Sequence, residues 1–148
     1  MSLELKIAKH STDFEQAFNL RWVLLRKPWN QPRGSEQDEL EQESIMVIAM
    51  ENGEAVGTGR VHMAADGMAQ IRYMAVQEEM QGKGVGKEIL RMLEQKINKQ
   101  GAQKVFLNSR ENAVKFYLAN GYRLVKEVDS LYGVIRHFLM EKDLGNQS

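Results

Sequence analysis

The chain has 148 residues, no cysteine, and twenty basic against twenty acidic side chains. A chain of this length is expected to form one domain, read here over residues 1–148, with a core large enough to need no staples. Without cysteine there is no disulfide, no thiolate metal site and no cysteine nucleophile. Balanced charge gives no reason to expect a nucleic-acid partner. No apolar run reaches membrane-spanning length, and the N-terminal segment lacks a secretory hydrophobic region. A cytoplasmic protein that needs neither membrane nor metal is the expectation.

Leu3–Ala8 alternates apolar and polar residues, as a half-buried strand does. Ser11 or Thr12 is a good N-cap for a helix carrying Phe14, Ala17, Phe18, Trp22 and Leu25. That helix should stop near Arg26, because Lys27 precedes Pro28. Pro28–Gly34 holds both prolines and Trp29, is flanked by Arg21, Arg26, Lys27 and Arg33, and is followed by Glu36, Asp38, Glu39, Glu41 and Glu43. It reads as a connecting loop and a short solvated helix, or as a mobile loop over a substrate pocket with Trp29 as an apolar wall.

Ile45–Met50 reads as a buried strand, Asn52-Gly53 as the centre of a hairpin turn, and Ala55–Ala64 as a strand in which Gly57 and Gly59 admit a bend or a close neighbour. Met68–Val76 follows the turn at Ala65–Gly67 and completes an antiparallel meander. Val85, Ile89, Met92, Leu93 and Ile97 stripe a helix running to Gln100, capped by Gly101. Val105–Leu107 is a short strand, parallel to the third of the meander by the right-handed crossover rule. Asn112–Leu118 is a short helix, and Tyr122–Val128 and Val134–Met140 are the closing strands.

The stretch Tyr73–Lys87 organises the chain: a strand, a glycine-rich turn, then a helix start. Main-chain N–H groups in the first turn of a helix have no intrahelical partners and favour an anion. Two phosphate motifs fail on spacing. A Walker loop needs four residues between its first glycine and Gly-Lys, then Ser or Thr. Here three residues separate Gly82 from Gly86-Lys87, and Glu88 follows. A dinucleotide fingerprint needs G-x-G-x-x-G after a strand of a parallel sheet, whereas this run is G-x-G-x-G after a meander.

The segment does match Gln-x-x-Gly-x-Gly, at Gln81, Gly84 and Gly86, after Ile71-Arg72-Tyr73-Met74-Ala75-Val76. Asn112-Ala113-Val114-Lys115-Phe116-Tyr117 and Asn120-Gly121-Tyr122 follow in order. With these two motifs the sequence resembles the GCN5-related N-acetyltransferase (GNAT) family along roughly its whole length. The resemblance implies an α/β (α+β) fold with a mixed, mostly antiparallel sheet of about seven strands, splayed in the middle and flanked by about four helices.

It also implies acetyl-coenzyme A as co-substrate. Gln81, Gly82, Lys83, Gly84, Val85, Gly86 and Lys87 would hold the pyrophosphate, and the backbone of Met74, Ala75 and Val76 would pair with the pantetheine arm as an added strand. Asn108 and Asn112 would contact the cofactor. Tyr117 would act as general acid toward the departing thiolate. Many relatives carry a glutamate base on the central strand, where this chain has Arg72 and Tyr73. His62 or Glu43, acting through water, are the alternatives.

Trp29, Arg60, His62, Arg72 and Tyr73 are the candidate acceptor residues. Their cations call for an anionic group on the acceptor, while the acidic run calls for a cationic one. The lack of cysteine favours direct attack of the amine. The acceptor is a small-molecule or peptide amine, and a homodimer remains open. A non-catalytic acyl-coenzyme A-binding sensor or interaction module is the alternative to an enzyme.

Overall fold

The computed structural model describes residues 3–145. One seven-stranded sheet has the order β1-β2-β3-β4-β5-β7-β6. Its strands are β1 (Leu3–Ile7), β2 (Ile45–Glu51), β3 (Glu54–Ala65), β4 (Met68–Val76), β5 (Lys104–Arg110), β6 (Arg123–Leu131) and β7 (Ile135–Asp143). All neighbours are antiparallel except β4 and β5. The helices are α1 (Ser11–Arg21), α2 (Val85–Lys99) and α3 (Val114–Ala119). The expected fold class, meander and crossover are therefore all present. None of the helices is long and apolar enough to cross a membrane, among the described residues.

The start of α1 differs from the expectation. The Asp13 carboxylate, not the hydroxyl of Ser11 or Thr12, takes the free N–H groups of Lys9 and His10, at 3.0 Å each. These bonds, with the Lys6 ammonium at 2.9 Å, hold the Asp13 carboxyl well below the usual carboxylate range. The helix also does not simply stop before Pro28. It widens into a π turn, Trp22–Arg26, and then tightens into a 3-10 turn, Lys27–Trp29. A π turn closes its hydrogen bonds five residues apart. Across it Arg21 and Arg26 both reach one aromatic ring, that of Tyr73.

Helix α2 covers one face of the sheet. Val85, Ile89, Leu90, Leu93 and Ile97 are fully buried against β2, β3 and β4. Each such side chain contributes about 1.5–3 kcal/mol by leaving water. The close approach depends on Gly57 and Gly59: a Cβ on Gly59 would sit 2.5 Å from Met74 Sδ and 2.9 Å from Leu93 Cδ1. At its other end α2 is pinned by Glu94, which accepts from Tyr122 Oη at 2.8 Å and from Lys142 Nζ at 2.9 Å.

Because Gly59 faces both α2 and the side chain of Met74, Gly59→Val should lower unfolding free energy by about 1–3 kcal/mol through overpacking. Denaturant titration reads this as a shifted midpoint at unchanged slope. Removing the acceptor shared by Tyr122 and Lys142 through Glu94→Ala should cost about 1–3 kcal/mol. A change below ~1 kcal/mol in either variant contradicts the packing described.

Candidate active site

The parallel ladder between β4 and β5 has only three registered pairs, Met68↔Lys104, Ala69↔Val105 and Gln70↔Phe106. Beyond Gln70 the strands part. From Ile71 to Val76, β4 keeps β3 on one side and has no strand on the other, among the described residues. The open edge leads straight into the glycine run. Gly82 and Gly84 have φ of +79° and +85°, a region most side chains avoid, and the space a Cβ would fill is open at both. Gly84 is the N-cap of α2 and supplies no side-chain cap, so the first N–H groups of the helix stay unmet. The Gln81 side chain ties the loop back by donating to Val76 O at 3.1 Å. Lys83 and Lys87 are exposed beside it.

Helix α3 reaches the same end of the gap. The Phe116 ring lies 3.1 Å from the Cβ position of Gly86, which is also 3.7 Å from Val76 Cγ2. Tyr117 follows it, packed edge-to-face on Phe116 and Tyr122 with centroids 5.0 and 5.6 Å away. Burial in these apolar surroundings pushes the Tyr117 phenol far above its usual range. No protein group hydrogen-bonds its hydroxyl among the described residues, yet that oxygen is not a sealed orphan. Asn112 is exposed one turn earlier.

The opposite face of the sheet is ionic. Gly57 and Gly59 face α2, so alternation sends Thr58, Arg60 and His62 to the other side. Arg72 is directly opposite Arg60 and shares that face. So does its neighbour Tyr73, which a regular strand forbids. A bulge between the Thr58/Ala75 and Arg60/Arg72 pairs explains it, with Tyr73 at φ +58°. Four guanidinium carbons surround the Tyr73 ring: Arg21 at 4.3 Å, Arg72 at 4.7 Å, Arg60 at 5.1 Å and Arg26 at 5.8 Å.

The acidic run is not a solvated helix. Only Glu41–Glu43 makes a 3-10 turn, while Asp38 binds Arg60 at 2.6 Å and Arg72 at 2.7 Å. Glu41 binds Arg21 at 2.9 Å and Arg60 at 3.0 Å. Nor does the connector between α1 and β2 hang free. Trp22 Nε1 donates to Gln31 O at 3.0 Å, Arg26 Nε to Ser35 O at 3.0 Å, and Arg21 Nη1 to Glu36 O at 3.1 Å.

The candidates thus separate into three groups. Met74, Ala75, Val76 and Gln81 to Lys87 line the open edge and loop, with Tyr117 across from them. Arg72, Tyr73 and Trp29 lie at the ionic face. Arg60 is fully buried and His62 nearly so, which puts both beneath the site as supports. Asn108 alternates with buried Leu107 and falls on the same face as Arg110, away from α2 and its loop. Sequence reasoning missed Arg21, Arg26, Arg110 and Tyr132. The first two stood out only as basic residues flanking the prolines, and the last two carried no local signal.

Residues 14–122 match the acetyltransferase (GNAT) family. The chain belongs to that family. This acetyltransferase is 35% identical over 137 residues to YjcF of Bacillus subtilis (strain 168), described as an uncharacterised N-acetyltransferase, with 93% of this chain and 97% of that protein covered. Its fold is that of a GNAT-family acetyltransferase from Staphylococcus aureus Mu50 (TM-score 0.80, 17% identity, 97% of this chain and 99% of that one). It is equally that of an aminoglycoside 6'-N-acetyltransferase solved with coenzyme A (TM-score 0.81, 15% identity, 100% and 99% covered).

His62 Nδ1 lies 3.1 Å from Arg60 Nη2, and a guanidinium can only donate, so that nitrogen accepts and the proton stays on Nε2. Burial, with the Arg60 and Arg72 charges outweighing Asp38 and Glu43, depresses its pKa. The unfolded chain then binds a proton at higher pH than the folded one. Stability should hold above the ordinary histidine value of about 6.5 and fall as pH drops through it. Denaturation midpoints measured from pH 7 to about pH 5 should show this slope in the wild type and a shallower one in His62→Gln. Equal slopes would remove His62 as the buried neutral support.

Proposed function

We propose that this enzyme moves an acetyl group from acetyl-coenzyme A to the amine of a small-molecule or peptide acceptor by direct attack, with Tyr117 as general acid. One observation carries the reading: the open β4 edge, the uncapped start of α2 and helix α3, which carries Tyr117, lie around one gap in the sheet. The residues fit the co-substrate. Unmet N–H groups behind Gly82 and Gly84 suit a pyrophosphate, with Lys83 and Lys87 adding positive charge. The free edge at 71–76 suits the amide-bearing pantetheine arm.

Bound there, acetyl-coenzyme A supplies an activated thioester. A main-chain N–H of the free edge would donate to the charge growing on the acyl oxygen. Tyr117 would protonate the departing thiolate. Its raised pKa keeps the phenol protonated at neutral pH, and its hydroxyl has no hydrogen-bond partner to leave among the described residues. Apolar neighbours exclude water from that proton transfer. No side chain is assigned as base: Arg72 and Tyr73 hold the positions of the family's glutamate, and the Nδ1 lone pair of His62 is already taken by Arg60 Nη2. The acceptor therefore attacks as the free amine.

Acetyl-coenzyme A should raise the melting temperature, and an amine panel should release thiol. Stabilisation without turnover on any amine would instead identify a binding module, and no stabilisation would remove both readings. Tyr117→Phe should keep donor binding and lose roughly 100-fold or more in turnover; unchanged turnover would exclude Tyr117 as the acid. With two acceptors of different amine pKa, kcat/KM should climb about tenfold per pH unit and level off at each amine's own pKa. A shared, acceptor-independent midpoint would reveal an enzyme base.

A further inference from the structure

We propose that the acceptor carries an anionic group, a carboxylate or a phosphate, held by Arg26 and Arg110 at the open end of the β4–β5 gap. This rests on the transferase reading above and names the substrate class of that site. The ionic face contains two kinds of arginine. Arg21, Arg60 and Arg72 are matched by Asp38 and Glu41. Arg26 and Arg110 have no carboxylate. Both donate to one main-chain oxygen, Leu25 O, Arg26 Nη1 at 3.3 Å and Arg110 Nη2 at 3.1 Å. Arg26 Nε goes to Ser35 O, another neutral acceptor.

Two guanidinium groups are thus clamped on a single carbonyl, and the Arg110 charge is disfavoured first by burial and then by Arg26. Arg26 is only 8% exposed. Its Nη2, and Nε and Nη1 of Arg110, have no partner among the described residues, and none of them is sealed from solvent. Converging, unspent N–H donors on two like charges fit the paired oxygens of a carboxylate or phosphate.

The position suits the acceptor, not the donor. Arg110 ends β5, and Arg26 reaches the Tyr73 ring at the β4 bulge, so the pair spans the two diverging strands. It lies on the face away from α2, where the glycine loop opens. Trp29 and Tyr132, from separate connections, meet with ring centroids 6.5 Å apart and restrict the opening. Of the acidic run, Asp38 and Glu41 are already engaged by arginines, and the Glu36 carboxylate accepts from Gly34 N and Gln37 Nε2.

The test compares matched amines: γ-aminobutyrate against butylamine for the carboxylate, O-phosphoethanolamine against ethanolamine for the phosphate. The anionic member of at least one pair should have kcat/KM roughly tenfold higher or more, and the pair showing it identifies the group. Arg110→Gln and Arg26→Gln should each cut the kcat/KM preference for that member over its neutral partner by roughly tenfold or more, while acetyl-coenzyme A still raises the melting temperature of both variants. Arg110→Lys should recover part of the loss. A purely structural role would lower both members together, and equal or better use of the neutral amines overturns the proposal. If no amine is acetylated, the transferase reading fails and the site is tested by binding. With coenzyme A saturating the loop and ionic strength fixed, O-phosphoethanolamine or γ-aminobutyrate should stabilise the wild type more than Arg110→Gln. Equal melting shifts for both proteins would overturn the anion site as well.

Discussion

The constraint on which the site depends is the loss of alternation in β4. A regular strand sends Arg72 and Tyr73 to opposite faces of a sheet. The bulge at Tyr73, with its backbone at φ +58°, puts both on the face away from α2. A bulky residue in that conformation costs of order 1–3 kcal/mol and persists only where its surroundings over-determine it. Here the surroundings are four guanidinium groups against one ring, which favour the aromatic face electrostatically. The same irregularity comes just after the parallel ladder ends at Gln70↔Phe106, and it leaves Met74 and Val76 on the α2 side of an unpaired edge. One kink thus serves both halves of the site.

The arginines need their own explanation. Arg21 and Arg60 are fully buried, and desolvating such charges is costly. Asp38 and Glu41 each bridge two arginines, so three guanidinium groups share two carboxylates. Arg21 Nε and Nη2 and Arg60 Nε still lack partners. A cluster with unmet donors is a poor source of net stability. What it provides is geometry: it fastens the α1–β2 connector to β3 and β4, and it fixes the Tyr73 ring from several sides. These pairings resolve part of the sequence conflict between a cationic and an acidic acceptor pocket. Asp38 and Glu41 are spent on Arg21, Arg60 and Arg72, while Arg26 and Arg110 pair with no carboxylate among the described residues.

Most of the fold was legible from local pattern. The Asn52-Gly53 turn, the stripe from Val85 to Ile97 and the crossover before β5 all follow from spacing within a single element, and each formed as expected. The stretch Gln81 to Lys87 was legible for the same reason, since it is one continuous segment that joins a glycine turn to the start of α2. The ionic face was not. Its π turn depends on how Arg21 and Arg26 pack against a ring fifty residues away, and helical spacing gives no sign of it. Asp38 and Glu41 read as solvated charge because their partners, Arg60 and Arg72, sit on other strands. Arg110 and Tyr132 lie in segments with no motif, and only the sheet order β4-β5-β7-β6 brings them to the gap.

This division has a chemical counterpart. The α2 face presents main-chain N–H groups, an open strand edge and glycines, features that persist through wide changes of side chain. The opposite face is built from side chains of α1, its connector, β3, β4, β5 and the β6–β7 connection. On the proposed reading, a sheet opened in its middle would let donor and acceptor approach from opposite faces and meet at the gap. Acceptor specificity would then rest on the side chains of one face and donor binding on the backbone of the other, with the bulge at Tyr73 joining the two.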